Sequence, residues 1–355
     1  QGVVPRGIDR EVVEILHRTH IGDDQDASHI LSAAVRTALS DGWGGSMWAT
    51  DISDILFGTP SPKVGGVNLG CLEEKQVNII VHGHEPTLSE MIVTAVQDPD
   101  LIEYAKSKGA DGINLAGICC TANEVMMRQG IPSAGNFLTQ ELAILTGAVE
   151  AMVVDVQCIM QSLVGVAEHF HTEIITTSPK VKITGATHIE FDEHHAMDIA
   201  KNIVRRAIDN YANRAAETHI PHGMSEQMVP GFSHEYLAYM QGGNYRASFR
   251  PLNDAIASGR IRGVAANVGC NNPAFTHDQV HMDVVTELLK NDVLVVSTGC
   301  GAIAAGKYGY MKGSAGLDPE KVGPGLREVC EAIGIPPVLH LGSCVDNSRI
   351  LTVLS

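Results

Sequence analysis

Residues 76–97 read QVNIIVHGHEPTLSEMIVTAVQ, and residues 112–129 read GINLAGICCTANEVMMRQ. Each stretch opens on a short apolar run, breaks at a Gly, His or Cys turn, and continues with apolar residues at helical spacing. A continuous apolar run followed by a helix is the mark of a parallel strand buried on both faces. The unit recurs along the chain. Strands are expected at 76–82, 112–118, 151–156, 173–176, 262–268, 292–298 and 337–341, with a short apolar piece near Ile189. Helices are expected at 87–97, 122–129, 138–148, 159–169, 193–213, 233–240, 251–258, 276–290, 302–308 and 321–333. Alternating strand and helix predicts an α/β fold with two Rossmann-like, mostly parallel sheets. Residues 9–40 read as helical and 43–75 as a Gly/Pro-rich, irregular connection. Residues 214–232 read as a polar linker. The expected organisation is a partial helical region at 1–75, a first Rossmann-like domain at 76–225 and a second, C-terminally truncated one at 226–355.

The turns that follow the strands carry the chemistry. Five cysteines each end an apolar run just before a helix: Cys120, Cys158, Cys270, Cys300 and Cys344, and His84 takes the same place after its own run. In an open parallel sheet the carboxyl ends of the strands line the ligand crevice. Five soft thiolates and one imidazole brought together there suit a large iron–sulfur-type cluster better than any single ion. Successive donors are 36, 38, 112, 30 and 44 residues apart and no C-x-x-C occurs, which excludes a local zinc motif. The competing reading for each thiol alone is a small buried hydrophobe.

That competing reading is the one adopted for Cys330, which falls in the apolar rhythm of its helix, and Cys71 follows a loop. Cys119 precedes Cys120, and strand alternation predicts that its side chain points the other way. His82 lies two residues before His84 and is read as a group behind the ligands, with a proton-handling role open to it. His277 and His281 are four apart on a predicted helix, a metal-compatible spacing, but they are read as solvated or partly packed. Gly299–Ala304 fits a dinucleotide-type G-x-G-x-x-A pattern with Asp318 downstream, yet Cys300 fills the position that would approach a pyrophosphate.

Whole-chain properties set the outer bounds. The 355 residues carry a net charge of −16, against a nucleic-acid partner. No apolar run is long enough for a membrane helix, and the N-terminus lacks the sections of a signal peptide. Eight cysteines without an export signal point to a reducing, cytoplasmic setting where thiols serve metals or catalysis.

The strings HGHEP, GICCTANEVMMRQG, VVDVQCIMQ, GCNNP, STGCGA and LGSCVDNSR resemble the motifs of the nickel–iron carbon monoxide dehydrogenase catalytic subunit, in the acetogen form that partners acetyl-CoA synthase. The resemblance runs from about residue 9 to the end. It implies a cluster of the NiFe4S4 type, the C-cluster, seated at strand C-termini between Rossmann-like domains. On the matching positions His84 and Cys120 would hold the unique iron, Cys158, Cys270 and Cys300 the core irons, and Cys344 the nickel side. The implied reaction is CO + H2O ⇌ CO2 + 2H+ + 2e−, with a ferredoxin-like electron carrier and a homodimeric enzyme. A hybrid-cluster hydroxylamine reductase and a metal-free, non-catalytic fragment are the alternatives.

The family's relay [4Fe–4S] clusters have no ligands in this chain, which contains no Cys before Cys71. The expected catalytic lysine lies beyond the motif of Cys344, and the context of Lys307 does not match it. The proton-relay histidines of the family's upstream region find no match in His17 or His20. The sequence therefore reads as a segment of something longer, and impaired activity is expected of it alone.

Overall fold

The computed structural model describes residues 3–243, 245–313 and 317–355. They form two compact units, Thr59–Cys344 and a smaller one made of the chain up to Gly58 with Val345–Ser355.

The larger unit holds both sheets. Strands β1 (Gly65–Val67), β2 (Gln76–Gly83), β3 (Gly112–Ile118), β4 (Ser133–Gly135), β5 (Val149–Val154), β6 (Glu173–Thr176), β7 (Thr187–His188) and β8 (Glu226–Met228) form one sheet in the order β7-β6-β5-β2-β3-β4-β1-β8. Every neighbouring pair in it is parallel except β1 with β8. Strands β9 (Gly263–Asn267), β10 (Val293–Thr298) and β11 (Val338–Gly342) form the second, fully parallel sheet in the order β11-β10-β9.

The central strands are largely apolar because both faces are covered, with Asn78 and His82 on β2 and Glu150 on β5 as buried polar exceptions. Val77, Ile79 and Val81 of β2 and Ala151 and Val153 of β5 pack beneath helices Pro86–Ala95 and Ala196–Asn210. Ile80, Met152 and Val154 point the opposite way, against Ile144 and Leu163. This two-residue alternation fixes the register, since a one-residue slip would exchange the two cores. Each of these Val, Ile, Leu and Met side chains contributes about 1.5–3 kcal/mol on burial. Proline opens three of the covering or connecting helices, at Pro86, Pro99 and Pro324, where the missing N–H has no helical partner in any case.

Several stretches depart from expectation, the short strands β1 and β4 among them. Residues 45–57, read as part of an irregular connection, form a helix; Trp48, Ile52 and Ile55 repeat at helical spacing, a signal hidden by the glycines around Trp43. Residues 99–107 are a helix whose N-cap, Asp98, accepts from Asp100 N–H at 2.9 Å. The 214–232 linker contributes β8, whose three residues pair with the equally short β1.

The smaller unit is helical: Ile8–Arg18, Ala27–Gly42, Gly45–Phe57 and Asn347–Leu354. The guanidinium of Arg349, fully buried, donates to both oxygens of Asp54 at 2.7 and 2.8 Å and to Asp346 at 2.9 Å.

Candidate metal centre

All seven donors discussed below sit at the carboxyl ends of parallel strands. His84 follows β2, Cys119 and Cys120 follow β3 and open helix Cys119–Gln129, and Cys158 lies just beyond β5. From the second sheet, Cys270 follows β9, Cys300 sits in the first turn of helix Gly299–Lys307 after β10, and Cys344 follows β11.

The ends of both sheets meet. One ligand atom each from His84, Cys120 and Cys344 lie within 4.8 Å of one another. The thiol of Cys158 is 3.7 Å from His84 Nε2, and Cys344 N–H donates to Cys120 Sγ at 3.2 Å. The thiols of Cys270 and Cys300 touch each other, and Cys270 also touches Cys158. The six residues singled out as donors are thus gathered into one place, with Cys120 and Cys300 buried and Cys270 at an exposed rim beside a cavity of about 180 Å³.

Cys119 joins them against expectation. Strand alternation would turn its side chain away, but its backbone is left-handed, at φ 62°. That reversal ends the pleat one residue early and brings the thiol against Cys158 and Cys300.

Crowded thiols divide their protons. Contacts from Cys119, Cys270 and His84 hold the Cys158 thiol far below its ordinary value, while Cys119 and Cys270 are pushed up. Cys300 is likewise lowered by Cys119 and Cys270. Cys120 donates to Cys344, which falls to about 6 as Cys120 rises. Burial alone would strip the proton from His84, but the thiolates of Cys158 and Cys344 outweigh it and raise the imidazole to about 10. Half-shared protons on soft donors mark a place where a cation would find negative charge already assembled.

The turns that carry these donors are held in costly conformations. Besides Cys119, both Gln157 (φ 61°) and Cys158 (φ 58°) are left-handed, a region that costs a side-chain-bearing residue about 1–3 kcal/mol. Gly299 also sits there, at φ 57°, and a Cβ on it would lie 2.7 Å from Cys344 Sγ.

Buried polar side chains hold the turns. Gln140 Nε2 donates to the carbonyls of Phe137 (2.7 Å) and Cys158 (2.9 Å), while its Oε1 accepts from Met160 N–H (3.0 Å) and faces His82 Nε2 at 3.0 Å. With Gln140 so oriented, His82 must carry its proton on Nε2, and burial keeps the ring neutral. His82 therefore lies behind the donors and acts on the Cys158 turn through Gln140. His281 bridges the Cys270 carbonyl (3.1 Å) and the Asn267 side chain (3.2 Å). His277 precedes helix Gln279–Lys290 and contacts Asn136 and Asp278, so it does not share a helix face with His281 as expected. Lys307 is ion-paired with Asp278. Cys330 is buried on helix Pro324–Ile333, and burial pushes the thiols of Cys71 and Cys330 up to about 12. No sequence signal pointed to Gln140; its role comes from the tertiary fold alone.

The Prismane/CO dehydrogenase family model matches residues 1–355. Carbon monoxide dehydrogenase 1 of Methanosarcina mazei is 57% identical over the whole chain, which covers 55% of that protein. The carbon monoxide dehydrogenase/acetyl-CoA synthase subunit beta of Moorella thermoacetica is 46% identical, with 99% of this chain matched to 53% of that one. A nickel-free carbon monoxide dehydrogenase structure from Thermococcus sp. AM4 superposes with a TM-score of 0.90 at 52% identity, covering 99% of this chain and 55% of its own. The chain thus spans about half the length of these relatives. With its full length matched by the family model, the chain belongs to the Prismane/CO dehydrogenase family.

Proposed function

We propose that this chain is the cluster-bearing core of a carbon monoxide dehydrogenase, an oxidoreductase that interconverts CO and water with CO2, two protons and two electrons. The observation that carries the reading is the convergence of six thiols and one imidazole from both sheets on one point. The donor set fits a nickel–iron–sulfur cluster: soft sulfur suits low-valent nickel and iron, and seven donors exceed what one tetrahedral ion takes.

His84, Cys120, Cys158, Cys270, Cys300 and Cys344 are the ligands in this reading. When bound, the cluster supplies open metal positions for the substrates and accepts the electron pair. The chain's own residues do the rest. His84 must lose its proton to bind, and it shares that proton with Cys158 and Cys344, so metal uptake releases protons. Gln140 and His82 orient the Cys158 turn, and the buried thiols of Cys119, Cys120 and Cys300 keep water from one side of the site. Among the described residues no helix is long and apolar enough to cross a membrane. A cytoplasmic enzyme, homodimeric and passing electrons to a ferredoxin-like carrier or working with an acetyl-CoA synthase subunit, completes the proposal.

The test is anaerobic metal analysis of the purified protein, with anomalous scattering at the nickel edge. Nickel with about four irons per chain is the expected result. Iron without nickel would favour a hybrid-cluster reductase, and absence of both metals would overturn the reading.

A further inference from the structure

The side chain of Asp155, at the end of β5, reaches across the neighbouring strand β2 toward the turn after β3. Its Oδ1 accepts from His84 N–H at 2.7 Å and from Val156 N–H, and Oδ2 accepts from the Thr121 hydroxyl at 3.0 Å. His84 is a donor of the metal centre, Thr121 follows the donor Cys120, and Cys158 lies three residues beyond Asp155. One carboxylate therefore touches all three donor-bearing turns of the larger sheet. The path is open because residue 83 is glycine: a Cβ there would stand 1.7 Å from Asp155 Oδ1. Gly83 itself adopts φ 137°. Asp155 is 8% exposed, and among the described residues its carboxylate makes no ion pair, although Lys180 lines the same cavity. A buried acidic group without a cationic partner is an expensive choice unless its acceptor geometry is needed.

We propose that Asp155 is a positioning residue for the metal centre, a brace that sets the mutual placement of His84, Cys120 and Cys158 before any metal arrives. Its role as the brace of a metal centre rests on the proposed function; its role as a brace of the turns does not. The brace acts as a hydrogen-bond acceptor. Asparagine should replace it, because its carbonyl oxygen can take the His84 and Val156 N–H groups while its amide donates to the Thr121 hydroxyl, which also accepts. Alanine should not.

Two readouts test this on the purified protein. In the metal-free form, amide exchange at His84 should quicken on the order of 10- to 100-fold in Asp155→Ala and stay within about threefold of wild type in Asp155→Asn. After anaerobic reconstitution with ferrous iron, sulfide and nickel, Asp155→Ala should lose most bound metal, with β6 and β10 exchange unchanged, and Asp155→Asn should load normally. Thr121→Val should leave His84 exchange at the wild-type rate yet shed metal to a chelator several-fold faster; this variant carries the test if alanine does not fold. Wild-type exchange and loading in Asp155→Ala, or wild-type metal retention in Thr121→Val, would overturn the proposal. So would an Asp155→Asn protein that behaves like Asp155→Ala. A wild-type protein that binds no metal would instead defeat the functional reading, leaving the exchange result to stand alone.

Discussion

Replacing Glu150 by glutamine should destabilise the larger unit far more than an isosteric change usually does. Glu150 is fully buried on β5, and its two oxygens face four donors and no acceptor. Oε1 takes His171 Nε2 at 2.9 Å and Arg214 Nε at 2.6 Å; Oε2 takes Asn78 N–H and Arg214 Nη2, both at 2.6 Å. Either orientation of a glutamine amide would aim its NH2 at two donors. Arg214, whose side chain is 7% exposed, would lose its counter-charge, although it would keep the carbonyls of Gln76 at 2.7 Å and Ala148 at 2.9 Å. Removing one partner of a buried pair costs about 3–5 kcal/mol, a large part of the roughly 5–15 kcal/mol that holds a domain folded. For a unit of this size that corresponds to a fall in melting temperature of about 5–8 °C. Urea unfolding of the metal-free protein, followed by far-UV circular dichroism, gives the free energy directly. The double variant Glu150→Gln/Arg214→Met should recover part of the loss, because it removes the stranded charge. A single-variant loss below about 1 kcal/mol would refute the reasoning, since it would mean the pair contributes no more than an exposed one.

Other substitutions probe the donor turns. Gly299→Ala places a Cβ against Cys344 Sγ in a left-handed position; it should cost about 1–2 kcal/mol and lower the nickel retained, as read by elemental analysis. Gln140→Leu removes the four contacts that hold the Cys158 turn and should speed amide exchange at Met160 by about tenfold or more. Asp278 is held below the ordinary carboxylate range: burial works against it, but His277 and Lys307 outweigh burial. A lowered value in the fold means that the stabilisation is full above the unfolded value and is lost as pH falls through the folded one. Asp278→Asn should therefore lose about 2–4 kcal/mol at neutral pH, measured by denaturant titration, and the gap to wild type should close only below about pH 4.

The gathering of the six residues proposed as donors was legible in the sequence because one rule places them. An apolar run too continuous for an exposed strand must be a buried parallel one, and parallel strands bring their carboxyl ends to a common edge. A Cys or His at that point therefore faces the crevice whatever its distance along the chain. Cys119 escaped the rule because strand alternation says nothing about a residue that leaves the pleat, and only the backbone at φ 62° turns its thiol inward. Gln140 and Asp155 were invisible for a different reason. Each works through backbone groups that are remote in sequence, such as Cys158 O for the first and His84 N–H for the second, and a backbone group leaves no mark in the residue code. The helix at 45–57 was masked by neighbouring glycines, and β1, β4 and β8 are three residues each, too short for any periodicity to register.

Since the proposed donors come from two sheets, whatever fixes the sheets to one another decides whether the site exists. Helix Cys119–Gln129 belongs to the first sheet's β3 connection and is buried along nearly all its length. It meets β11 of the second sheet and the residue after it through two polar contacts on consecutive residues: Asn123 Oδ1 with His340 Nε2 at 2.7 Å, and Glu124 Oε1 with the Ser343 hydroxyl at 2.5 Å. Consecutive helical residues point about 100° apart, so the two contacts fix rotation as well as distance. Asn123 also donates to the carbonyl of Cys119 at 2.7 Å, and Glu124 is paired with Arg128. An apolar interface at this place would tolerate a slide of an ångström or more, whereas displaced polar groups in a dry interface would each forfeit about 1–3 kcal/mol. Cys120 begins this helix, and Cys344 follows Ser343. The polar pairs therefore hold the register at the point where Cys344 N–H meets Cys120 Sγ, and the junction between sheets is specified by hydrogen bonding where hydrophobic packing would leave it loose.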